Sequence, residues 1–121
     1  MIAPIFSVCE ASATLKALIG ANPIRLYPFG LQDDEPIYPY VVWQNIDGSP
    51  PQYLGTRPDH DGYAIQVDIY AKTSADVLAV AKALRDVIEP HAYITRWGGQ
   101  TRDSETKNYR YSFDVDWLVL R

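Results

Sequence analysis

Apolar and polar positions alternate most strictly between Gly62 and Ala71, Gly-Tyr-Ala-Ile-Gln-Val-Asp-Ile-Tyr-Ala. Tyr63, Ile65, Val67, Ile69 and Ala71 fall on one side, and Ala64, Gln66, Asp68 and Tyr70 on the other. Period two predicts a strand with one dry face and one wetter face. The period then changes. Thr73, with Asp76 three residues on, forms a capping-box pair. Val77, Val80, Ala81, Leu84, Val87 and Ile88 recur at helical spacing until Pro90 ends the run. Each element exposes an apolar side that must be covered, so the helix is expected to lie on the sheet.

Upstream, residues 4–19 read as one helix. Pro4 suits its first turn, Ile5, Val8, Cys9, Ser12, Leu15 and Ile19 form its stripe, and Gly20 can cap its end. Asn22-Pro23 signals a turn, and Ile24–Tyr27 is a short strand cut off by Pro28. Phe29–Pro39 reads as a loop that combines the acids Asp33, Asp34 and Glu35 with the apolar Phe29, Leu31 and Ile37. Tyr40–Asp47 begins apolar on both faces, which predicts a central strand. Asp47–Pro51 is a turn, Gln52–Leu54 an edge strand at most, and Gly55–Asp61 a polar connection.

Beyond Pro90, His91–Gln100 is a strand of mixed pattern, with Tyr93, Thr95 and Trp97 set against Ile94 and Arg96. Gly98-Gly99 permits a bulge. Tyr109–Arg121 is the longest alternating run, and is expected to form the middle of the sheet together with Tyr40–Asp47. Hairpin links outnumber crossovers. The predicted class is α+β, a mainly antiparallel sheet of about four to five strands with two helices packed on one face. At 121 residues the chain reads as a single domain, 1–121. It is long enough to bury about two-thirds of its unfolded surface.

Composition narrows the function classes. The formal charge is −4 and the basic residues are scattered, so a duplex-gripping stripe is not expected. Arg96, Arg102, Lys107 and Arg110 make a loose group that reads as a solvated hairpin. The N-terminus lacks a basic segment before a long apolar run, and no apolar stretch is long enough to span a bilayer. Cys9, the single cysteine, sits on a helical apolar stripe and reads as a small buried hydrophobe. Asp59-His60-Asp61 holds adjacent residues whose side chains diverge, and Asp33-Asp34-Glu35 lacks the spacing of a dedicated cation loop. No serine sits in a nucleophile elbow, and no glycine-rich loop precedes a helix. Catalytic, metal and cofactor residues are therefore all expected to be none.

Nine tyrosines and three tryptophans are more than one small core takes up. Tyr38, Tyr40, Tyr53, Tyr70, Trp97 and Tyr109 fall near loops or on wetter faces, where such residues serve contacts. The wet face of the sheet, with Gln66, Asp68, Tyr70, Asp114 and Asp116, is a candidate subunit surface. So is the Phe29–Pro39 loop, with Phe29, Leu31, Ile37 and Tyr38, and Trp97 joins the candidates.

Three strands carry a family resemblance: Tyr38-Pro39-Tyr40-Val41-Val42-Trp43-Gln44, Gln66-Val67-Asp68-Ile69-Tyr70-Ala71, and Tyr109-Arg110-Tyr111-Ser112-Phe113-Asp114-Val115. With the N-terminal helix and Arg25-Leu26-Tyr27-Pro28, in this order, the chain resembles the tail-completion, or tail-terminator, proteins of long non-contractile-tailed bacteriophages and prophages. The resemblance implies a structural virion protein assembled in the host cytoplasm. It implies a homo-oligomeric ring, typically hexameric, on the head-proximal end of the tail tube. Its partners would be itself, the major tail tube protein and a head-completion or connector protein. DNA would pass through without specific binding, and no membrane, cofactor or catalysed reaction is implied. The neighbouring neck or head-closure ring is the alternative, and a small bacterial enzyme or ligand-binding domain a more distant one. In such a ring Asp33, Asp34 and Glu35 are candidate lumen-facing acids.

Overall fold

The computed structural model describes residues 4–20, 24–28, 37–49, 60–102 and 108–120. Its strands are β1 (Leu26–Pro28), β2 (Tyr40–Ser49), β3 (His60–Ala71), β4 (Tyr93–Arg102) and β5 (Tyr109–Leu120). Its helices are α1 (Ile5–Glu10), α2 (Ala13–Ile19) and α3 (Ser74–Ile88). The strands form one sheet in the order β1-β2-β3-β5-β4, antiparallel except for the β1–β2 pair. The architecture is α+β, as the pattern of the sequence implies.

β3 is the centre of this sheet because both its neighbours pair along most of its length. Tyr63, Ile65, Val67, Ile69 and Ala71 are all buried on the predicted dry face. α3 covers β3 and β5 with Val77, Val80, Ala81, Ala83, Leu84 and Ile88, and α1 and α2 pack against α3. Ile5, Cys9, Leu15 and Ile19 are fully buried in the same core as Phe113 and Val115. Among the described residues, the opposite face of the sheet carries no helix.

Four expectations need correction. The N-terminal helix is two helices. Ser12 is extended (φ −91°, ψ 117°) and its hydroxyl accepts from the Leu15 amide at 3.1 Å. The apolar stripe continues through the break, which hides it from a periodicity argument. Gly20 does end α2, at φ 85°, where a Cβ would meet the Arg25 guanidinium at 2.5 Å. Arg25 uses that space to donate to Leu18 O (3.4 Å) and Pro39 O (2.9 Å), tying the helix end to the start of β2.

The middle of the sheet is β3, with β2 and β5 on either side of it, rather than β2 and β5 themselves. β2 runs on to Ser49 and β3 begins at His60, past the expected boundaries at Asp47 and Gly62. Finally, Pro28 lies within β1. An edge strand tolerates it because only one side of its backbone must pair. The Asn22-Pro23 turn, the Gln52–Leu54 strand and Asp59 lie outside the described residues. No helix among them is long and apolar enough to cross a membrane.

Candidate functional site

Strand register builds the helix-free face in rows. Tyr40, Tyr70, Arg110 and Thr101 form the first, and Val42, Asp68 and Ser112 the second. Gln44, Gln66, Asp114 and Arg96 follow, then Ala64, Asp116 and Tyr93. Even-numbered residues of β3 and β5 meet here because a pleated strand sends alternate side chains to opposite faces.

The first two rows are closed by their own interactions. Tyr40 and Tyr70 stack with ring centroids 5.0 Å apart, and Tyr38 tilts against Tyr40 at 5.2 Å. The Tyr38–Pro39 peptide is cis. Asn108 donates to the Tyr38 hydroxyl at 2.8 Å. Lys72 lies over the Tyr38 ring and Arg110 over Tyr70. Arg110 Nη2 donates to Asp68 Oδ1 at 3.0 Å, and the Gln66 amide donates to both Asp68 oxygens at 3.3 and 3.4 Å. Asp68 is therefore only 8% exposed although its face is nominally wet. It is an internal tie of the sheet rather than a free surface acid. Tyr40 is equally covered, and burial, followed by the neighbouring Tyr38 and Tyr70 phenols, pushes its pKa up to about 12. Burial raises Tyr70 as well, against the opposing Arg110 charge. Burial alone would lower the Arg110 pKa, yet its hydrogen bond to Asp68 and that charge raise it. The Tyr40 and Tyr70 phenols are thus neutral and the Arg110 guanidinium charged at neutral pH.

Beside this cluster lies a concavity of about 380 Å³ walled by Tyr38, Tyr40, Tyr70, Arg102, Asn108 and Arg110. Arg110 Nε is buried without a hydrogen-bond partner. A second concavity of about 280 Å³ continues along the face past Ile46, Gln66, Arg96 and Asp114. Neither brings a nucleophile, a base and an orienting group together, and among the described residues no cluster of three His, Cys, Asp or Glu could hold a metal ion.

The structure therefore gathers Tyr38, Gln66, Asp68, Tyr70, Asp114 and Asp116 on one face. Ile37 is strongly exposed just before β2. Trp97 is separated from them. A register shift between Ile94 and Arg96 flips the parity of β4, so Ile94 and Trp97 face the helix side, opposite Val115 and Phe113. The Trp97 ring packs on Tyr111 and Phe113 at the rim beside α3. Phe29, Leu31, Asp33, Asp34 and Glu35 lie outside the described residues. Pattern alone missed Arg110, Lys72 and Asn108 as partners of the tyrosines. The available signal was the Tyr40–Tyr70–Arg110 row, which requires the register to be known.

Residues 3–120 match the family model described as tail completion protein gp17. The chain belongs to that family. It is thus a structural component of a phage tail, and of a virion. A chain in the solved structure of the virion of a native gene transfer agent (GTA) particle shares the fold. The TM-score is 0.73 at 15% identity, over 97% of this chain and 92% of that one. No curated protein matches the tail completion chain.

Proposed function

We propose that the protein closes into a ring, a hexamer by resemblance, on the head-proximal end of a siphophage tail tube. The ring ends tube polymerisation and offers the surface to which the filled head joins. The observation that carries this reading is the family match over nearly the whole chain. The helix-free face supports it. A ring needs two different contact surfaces on each subunit, and a sheet face edged with tyrosines and charges is suited to supply them. Its contacts would be to a second copy, to the tube protein and to a head-completion protein, with DNA passing through unbound. The role is structural and catalyses nothing. Residues 1–121 would act as one domain.

Native mass spectrometry across a wide concentration range, with negative-stain images at the upper end, tests the ring. Closed rings with a central hole are expected. If the protein stays monomeric, purified tail-tube ends should capture it, because they template closure. A monomer that neither closes nor binds tube ends overturns the reading. Capture by a head connector but not by the tube would move it to the neighbouring neck ring.

A further inference from the structure

The helix-free face is electrically polar along β5. At the Arg110 end, Arg102 and Arg110 wall the concavity and Lys72 lies over the Tyr38 ring, while the one carboxylate there, Asp68, is already held by Gln66 and Arg110. At the other end Asp116 is exposed and forms no ion pair among the described residues. Asp114, between them, has Arg96 opposite it. The ends are six residues apart on one strand, about 20 Å, too far to neutralise one another within a subunit.

The two ends are complementary in charge, and each is hollowed: a concavity of about 370 Å³ lies beside Asp116, lined by Tyr93, Trp117 and Leu118. The Arg110 end is concave, about 380 Å³, with tyrosine walls and an Arg110 side chain that is 43% exposed. The Asp116 end is exposed and apolar around its carboxylate: Tyr93 is 77% and Leu118 57% exposed. A guanidinium takes a carboxylate through paired N–H groups, and tyrosine rings accept a flanking aromatic or aliphatic side chain.

We infer that Asp116 of one copy enters the Tyr38–Tyr70–Arg110 concavity of the next, with Tyr93 and Leu118 packing on its rim. The occupant is a second copy because the complementary charge lies on this same face; where each contact uses only one of the two reciprocal pairings, the join is the heterologous one from which rings are built. Nucleic acid is disfavoured, since the basic site is a small corner of a chain with charge −4. This inference rests on the ring reading for its geometry but is separable from it by experiment.

The test mixes a Leu118→Cys variant, which keeps the Asp116 carboxylate, with an Arg102→Cys variant, which keeps Arg110, both of the full chain, under mild oxidation at high protein concentration. Cys9 is buried and its thiol is pushed up to about 12 by that burial, so it stays silent. The mixed disulfide dimer is expected in several-fold excess over either homodimer, and over mixtures with a Lys82→Cys control on the outer side of α3. Its yield should fall several-fold as salt rises from about 0.1 M to about 1 M. No excess over the control overturns the inference, even if native mass shows rings. An excess with no closed ring in native mass keeps the contact and rejects the ring. Retention of a short DNA duplex by the wild type, lost in Arg102→Glu, would assign the concavity to phosphate and also overturn it.

Discussion

At the scale of single residues, Gly98 and Gly99 look alike in the sequence and differ in the fold. A Cβ on Gly98 would stand 2.9 Å from the backbone oxygen of Ser112, on the neighbouring strand β5. A Cβ on Gly99 would meet nothing within 4 Å. Backbone cannot step aside as a flexible side chain can, so Gly98→Ala is expected to cost about 1–3 kcal/mol through a forced shift of β4. Gly99→Ala should stay within about 0.5 kcal/mol of the wild type. Urea unfolding of the two variants decides it, and equal midpoints would mean that β4 does not approach Ser112 so closely. Asp68 makes the complementary point. Its place on the polar side of β3 was readable from alternation, whereas its burial was not, because Arg110 reaches it from forty-two positions away in the chain.

At the scale of elements, the break between α1 and α2 gives an expectation of definite sign. Alanine is the best helix former, so Ser12→Ala would stabilise a continuous helix over residues 4–19. Ser12 instead caps α2 by accepting from the Leu15 amide. Its loss should therefore destabilise the protein by about 1 kcal/mol, which thermal or urea unfolding would read. A gain in stability would restore the single helix. The same elements show what the sequence made legible. Strand and helix identity, the dry face of β3 and the α3 stripe all follow from periods of two and 3.6 residues, and each reports on burial directly. The break at Ser12 and the bulge before Arg96 shift a phase without changing composition, so pattern passes over them. That is why Trp97 reads as a companion of Tyr93 but stands on the other side of the sheet, against Phe113. The candidate face was legible as a set of residues. Its organisation into a tyrosine–arginine concavity at one end was not, because it depends on the pairing of three strands.

At the scale of the whole molecule, charge bears on what the proposed ring would do with the genome. Six subunits at −4 would carry about −24, a net repulsion toward phosphate that keeps a duplex mobile instead of held. Asp33, Asp34 and Glu35 are the densest acidic run in the chain and the candidates for the lumen. Neutralising them as Asp33→Asn, Asp34→Asn and Glu35→Gln would bring six subunits to about −6. The wild-type ring is expected to show no retention of a fluorescent duplex by anisotropy at about 0.15 M salt. The neutralised ring should show weak retention that appears first at low salt, where screening is least and the remaining arginines reach furthest. Thermal stability should be unchanged between the two, which separates an effect on DNA passage from an effect on folding. Tight duplex binding by the wild-type ring, weakening steeply as salt is raised, would mean that the channel grips DNA, and the repulsive role of these acids would have to be abandoned. Identical behaviour of both rings at every salt concentration would place the three acids away from the channel.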